Sequence, residues 1–149
     1  MLQERFKLAD EDVIVTGHVS QLETLLDDCR VSVVPLRYGA GIKGKFVKAL
    51  ANGLPSVATT LAIEGMGLQH ERQVLVADTP KEFARAVVRL FHRQSLWYRL
   101  QEEGYRFAEE RYSWQASRDT VNRILDMADA TWIARRAAAR ANRLSKLLE

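Results

Sequence analysis

The residues with most chemistry to offer lie in one stretch, Leu36-Arg37-Tyr38-Gly39-Ala40-Gly41-Ile42-Lys43-Gly44-Lys45. Gly39, Gly41 and Gly44 let the backbone approach a ligand closely. Arg37, Lys43 and Lys45 bring full positive charges to the same place. If a helix opens there, its outward amides and dipole add roughly half a positive charge more. Such a combination suits a diphosphate. The plain alternative is a solvated glycine-rich turn with ordinary surface lysines. Position after a buried strand, with the cations converging, favours the anion site. The spacing is neither a Walker A motif nor a Gly-x-Gly-x-x-Gly fingerprint.

The elements that must position this stretch follow from periodicity. Val13-Ile14-Val15-Thr16 is expected as a buried strand, and Ser20-Gln21-Leu22-Glu23 as a capping box opening a short helix to about Asp28. Val31 to Val34 forms a second strand, stopped by Pro35. From Phe46 the spacing is helical through Val47, Ala49, Leu50 and Ala51, with Gly53 and Pro55 ending it. Ser56–Thr59 and Gln73–Val76 read as further strands. Thr79-Pro80-Lys81-Glu82 starts another helix, carrying Phe83, Val87, Leu90 and Phe91 on one side. Ser95 is expected to cap the next, with Leu96, Leu100 and Phe107 facing inward. After Ser113 and Trp114 an amphipathic segment carries the stripe Val121, Ile124, Leu125, Ala128 and Trp132. Short buried strands alternating with helices predict an α/β fold with a mainly parallel sheet and a long C-terminal helical extension. The strand carboxyl ends are where such sheets bind ligands, and Arg37 to Lys45 falls at one.

Composition narrows the classes. The chain of 149 residues is 47% apolar and 28% charged, the profile of an ordinary globular domain. Its sole cysteine, Cys29, permits no intrachain disulfide and is expected as a small buried residue. No apolar run approaches the roughly 20 residues of a membrane span. The N-terminus lacks a signal-peptide h-region, so the expected compartment is the cytoplasm, with a peripheral position at the inner membrane as an option. The net charge of +3 selects no partner by itself. His70 and His92 have no Cys or His at ligand spacing, so no metal is assigned. Trp97, Tyr98, Tyr105, Tyr112 and Trp114 are expected in core packing rather than as a stacking platform for nucleic acid.

The run from Val31 to Thr59 resembles the C-terminal, donor-binding domain of group 1 retaining glycosyltransferases, which have two facing Rossmann-like domains. Val13-Ile14-Val15-Thr16-Gly17-His18-Val19, Ile63-Glu64-Gly65-Met66, and Gly104-Tyr105-Arg106-Phe107-Ala108-Glu109-Glu110-Arg111-Tyr112-Ser113-Trp114 fit the same pattern. The resemblance covers most of Val13 to Trp114. It implies a Rossmann-like donor domain over residues 1–114, truncated on its N-terminal side, with a helical extension over 115–149. It also implies a UDP- or GDP-sugar as donor substrate, with no cofactor. In this reading Gly39, Ala40, Gly41 and Ile42 face the donor's phosphates and sugar, and Lys43 and Lys45, with Arg37 beside them, neutralise the diphosphate. Gly17, His18 and Val19 would lie near the nucleobase, and Glu64 and Gly65 would rim the cleft. No catalytic residue is identified.

Two departures from the family pattern stand out. Relatives commonly carry two glutamates with seven residues between them, one for donor-sugar hydroxyls and one for the ribose; here Ala40 and Lys48 occupy those positions. An ammonium only donates, so Lys48 cannot replace a carboxylate. It is open to pairing with a phosphate or to a plain surface role. The second departure is length. The acceptor domain and the opening strands of the donor domain have no counterpart, so an acceptor lobe or another chain is expected as partner. An unpaired sheet edge would favour self-association. The alternative to a transferase lobe is a degenerate nucleotide-sugar or partner-binding module; a basic-tail adaptor for membrane or nucleic acid is a weaker third.

Overall fold

The computed structural model describes residues 14, 16–39, 41 and 43–145, with side chains as far as residue 138. Helix α1 (Leu22–Asp27) leads into β1 (Ser32–Val34), and α2 (Gly44–Ala51) connects β1 to β2 (Ser56–Ala58). A single-turn helix α3 (Thr60–Ile63) and a chain of turns lead to β3 (Leu75–Val76). Three helices close the chain, α4 (Pro80–His92), α5 (Gln94–Tyr112) and α6 (Trp114–Ser145). The strands form one parallel sheet in the order β1-β2-β3, with Val33 opposite Val57 and Ala58 opposite Val76.

Strand alternation divides the core between the two faces of this sheet. Val57 and Leu75 pack with Leu90 of α4 and Leu96 and Leu100 of α5. Ala58 and Val74 join Phe46 and Leu50 of α2, Ala62, Met66, Leu68 and Phe107. The expected α/β architecture with a parallel sheet and a long C-terminal helix is what the chain adopts. Strand β2, central in the sheet, is buried at every residue, and its one polar side chain, Ser56, donates to the Leu54 carbonyl at 3.2 Å. Gly104 lets α5 press onto α2: a Cβ there would lie 3.1 Å from Leu50 Cδ2.

Caps set the helix boundaries. Thr79 Oγ1 accepts from the Glu82 amide at 3.3 Å and donates to the Glu82 carboxylate, with Pro80 opening α4, as its sequence predicts. Gly53, at φ 66°, follows α2 in the left-handed conformation. At the α4–α5 junction Arg30 ties the loop before β1 into place. Its guanidinium lies between the rings of Phe91 and Trp97, and its carbonyl accepts from Trp97 Nε1 at 2.7 Å.

Several expectations are corrected. Ser20 does not cap α1; Gln21 is the N-cap without a side-chain hydrogen bond, and Glu23 is engaged elsewhere. Ser95 lies inside α5, whose N-cap is Arg93, because Gln94 already joins the turn. Val13 and Val15 lie outside the described residues, and among the described ones Ile14 and Thr16 are in no strand, Ile14 being 84% exposed. The Gln73–Val76 strand shortens to Leu75–Val76, since Val74 makes only an isolated bridge to His70. Cys29 is exposed in the loop after α1 rather than buried. Tyr98, Tyr105 and Trp114 are exposed, whereas Trp97 and Tyr112 do pack against the core. The α6 stripe Val121, Ile124, Leu125 and Trp132 faces solvent, and the main described packing partner of α6 is α5.

Candidate functional site

Parallel strands place all their carboxyl ends at one edge, and three loops meet there. The glycine-rich loop leaves β1 at Pro35, Thr59 and Thr60 follow β2, and Ala77-Asp78-Thr79 follows β3. Hydrogen bonds pin the loops to one another. Thr59, 7% exposed, donates from its amide to the Val34 carbonyl and from Oγ1 to the Leu36 carbonyl at 2.8 Å. The same Oγ1 accepts from the Ala62 amide and so caps α3. Asp78 accepts from the Thr60 amide at 2.8 Å and the Thr60 hydroxyl at 2.7 Å. Those bonds, the hydroxyl's first, hold its carboxyl below the usual carboxylate range. Sequence reasoning passed over these three residues; a Thr-Thr pair and an Asp directly after two buried parallel strands were the available signal.

The loop itself ends on α2. Lys43 is the N-cap, and its side chain does not cap the helix. Its carbonyl accepts from Phe46 at 2.8 Å and Val47 at 3.1 Å. The first helical amides, of Gly44 and Lys45, precede the first of these bonds and have no carboxylate in the first turn to meet them. Gly39 at φ 129° and Gly41 at φ 89° adopt conformations that favour glycine, and among the described residues beyond their chain neighbours no atom lies within 4 Å of where their Cβ would stand. The backbone there is open to close approach.

Beside the loop lies a cleft of about 360 Å³, lined by Ser32 to Leu36 and by Lys43, Gly44, Lys45 and Phe46. Its lining is largely apolar and includes Lys43 and Lys45. Arg37 and Lys45 are exposed and Lys43 half-buried. Among the described residues no carboxylate pairs with any of the three. Two larger hollows, of about 650 and 440 Å³, lie against α5 and are walled by both signs of charge. In one, Glu103 already pairs with Arg72 and Arg106.

The other sequence-selected residues distribute around this edge. Ala40 and Ile42 lie outside the described residues. Gly17 and His18 are exposed and Val19 half-buried ahead of α1. Glu64 caps the C-terminus of α3, and Gly65 follows at φ 75°, both exposed. Lys48 is not a free surface charge: its Nζ lies 2.5 Å from Glu23 Oε1 of α1. That hydrogen bond is the main cause that holds the Glu23 carboxyl below its ordinary range. His70 Nδ1 accepts from the Val76 amide at 2.8 Å, a bond that braces β3. Among the described residues no helix is long and apolar enough to cross a membrane.

Residues 1–93 match the model of the family Glycosyl transferases group 1. An uncharacterized 44.6 kDa protein in the cps region of Klebsiella pneumoniae is 25% identical over 101 residues, which are 68% of this chain and 26% of that protein. The chain thus spans about a quarter of that relative's length. The C-terminal domain of a glycosyl transferase group 1 family protein (LpcC) from Francisella tularensis superposes with a TM-score of 0.64 at 16% identity. That superposition covers 76% of this chain and 61% of the other, and it shows a shared fold. With the family model matching well over half of its residues, the chain belongs to the group 1 glycosyl transferases.

Proposed function

We propose that this chain is the donor-binding lobe of a retaining glycosyltransferase that uses a UDP- or GDP-sugar, with the acceptor held by another lobe or chain. One observation carries the reading. Lys43, Gly44 and Lys45 line a cleft shared with β1 and Pro35-Leu36, where a helix start without a side-chain cap follows the glycine loop. A diphosphate there gains oriented amides and cations without first displacing a described carboxylate. The apolar floor formed by Val33, Val34, Pro35 and Phe46 suits the less polar body of the ligand. Arg37, Gly39, Ala40, Gly41 and Ile42 complete the phosphate contacts, and Gly17, His18, Val19, Lys48, Glu64 and Gly65 form the rim.

Calorimetric titration with UDP, GDP and inorganic diphosphate tests the reading. Lys43→Ala should weaken binding by about 1.5–3 kcal/mol, the range for a charge-assisted hydrogen bond. Absence of binding by all three ligands at millimolar concentration, or an unchanged affinity in Lys43→Ala, would overturn it. A degenerate, non-catalytic binding module is favoured by the occupation of Lys48 by Glu23. Transfer assays on the chain joined to an acceptor lobe separate the two, since only the transferase lobe yields product.

A further inference from the structure

Helix α6 turns its large apolar residues away from the domain that anchors it. Trp114, Val121, Leu125 and Trp132 are each more than half exposed. At about 100° per residue they fall within about 40° of one line along the helix. Ala116, half-buried beside Glu110 and Arg111 of α5, lies about 140–180° around the helix from Val121 and Leu125. A partner can therefore reach the stripe without displacing α6 from α5. A contiguous row of large apolar side chains in water marks a contact surface.

The stripe is nearly the same read from either end. Trp114 and Trp132 stand nine residues on either side of position 123, and Val121 and Leu125 two residues on either side. Turning one copy end for end sets Trp114 against Trp132 and Val121 against Leu125 over about 27 Å of helix. The charges agree with the same register. Arg118 precedes position 123 by five residues and Asp129 follows it by six, both on one flank of the stripe. A twofold axis brings like flanks together, so each Arg118 meets Asp129 of the other copy. Among the described residues neither takes part in an ion pair within its own chain. A parallel pairing would instead set Arg118 beside Arg118 and Asp129 beside Asp129. We propose that α6 pairs antiparallel with α6 of a second copy of this chain. The interface contains none of the residues that line the cleft at β1, so it stands apart from the donor-binding reading.

Sedimentation equilibrium of the full chain at low ionic strength, where surface charge pairs are least screened, tests the pairing. The wild-type chain should form a dimer, and Leu125→Arg should weaken it by about tenfold or more by putting a charge at the centre of the apolar contact. Arg118→Glu alone and Asp129→Arg alone should each weaken it severalfold, since each sets like charges together. The double variant exchanges the pair and should return to within about twofold of the wild type. That rescue separates a pairing contact from general damage to α6, because damage from two substitutions accumulates. A wild-type chain that stays monomeric up to millimolar concentration overturns the proposal and leaves the face to another partner, such as an acceptor lobe. A dimer untouched by Leu125→Arg overturns it too, and places self-association elsewhere, as at the sheet edge. A double variant no better than the single ones overturns the antiparallel register.

Discussion

Thr59→Val is the most informative single change, because it keeps the side-chain shape and deletes the hydroxyl that joins two loops. The hydroxyl has two partners, donating to the Leu36 carbonyl at 2.8 Å and accepting from the Ala62 amide at 3.3 Å. Loss of an N-cap acceptor costs about 1 kcal/mol. Loss of the bond to Leu36 adds about 1 kcal/mol, because Leu36 is half-buried and water replaces the donor only in part. The sum is about 2 kcal/mol. For a chain of this length that corresponds to a fall of about 4–8 °C in Tm. Urea unfolding should show a lower midpoint with an unchanged slope, the mark of lost stability rather than an altered unfolded state. Thr59→Ser restores the hydroxyl and should recover most of the loss. Should Thr59→Val unfold within about 0.5 kcal/mol of the wild type, or Thr59→Ser lose as much as Thr59→Val, the pinning role is wrong.

Two further predictions test the packing and the electrostatics around that edge. Gly104→Ala should gain about 1 kcal/mol in helix propensity yet destabilise overall. The new methyl would meet Leu50 Cδ2 at 3.1 Å and the Gln73 carbonyl at 3.5 Å, in a region where overpacking costs about 1–3 kcal/mol; a rise in the chemical unfolding midpoint would contradict it. Asp78 has a depressed folded-state pKa, so its bonds to Thr60 stabilise the fold above the unfolded value near 4, and this contribution is lost as pH falls through the folded value. Asp78→Asn should therefore be less stable than the wild type at neutral pH, with the gap narrowing below about pH 4. A gap of constant size down to acid unfolding would show that the carboxylate's charge is irrelevant.

Some of this was readable in the linear chain and some was not, for identifiable reasons. The helix expected from Phe46, which the structure starts two residues earlier at Gly44, its end at Gly53, the Thr79 cap, and the core positions Leu90, Leu96, Leu100 and Phe107 all follow from local rules. Local rules succeed where the partner of a residue lies within one helical turn. Ser20 and Glu23 satisfy the capping pattern too, but Glu23 has a stronger partner in Lys48, twenty-five residues away in sequence. The α6 stripe has helical spacing, yet spacing says only which residues share a face and not whether anything covers that face. Thr59, Thr60 and Asp78 stayed hidden because their partners lie across the sheet edge, 18 to 23 residues apart. The glycine loop was legible as chemistry from composition alone, and the structure adds the cleft beside it.

Charge pairing, more than cavity size, favours the cleft at β1 as the proposed donor site. The hollow beside α5 is larger than the cleft at β1 and holds more arginines, but Glu103 satisfies Arg72 and Arg106 there. An anion entering that hollow must compete with a carboxylate already in place, and its net attraction falls accordingly. At the other edge Glu23 removes Lys48 from the count, and still no described carboxylate claims Arg37, Lys43 or Lys45. The amides of Gly44 and Lys45 point the same way and cannot be neutralised by a proton or by a rotamer change. In the proposed donor site, a fixed backbone donor set with mobile cations around it favours a multiply charged anion over a single carboxylate, because the former brings more charge and more acceptor oxygens. Under the proposed function, the apolar lining of Val33, Val34 and Phe46 favours a ligand larger than a bare phosphate, since a phosphate alone would leave that surface in water.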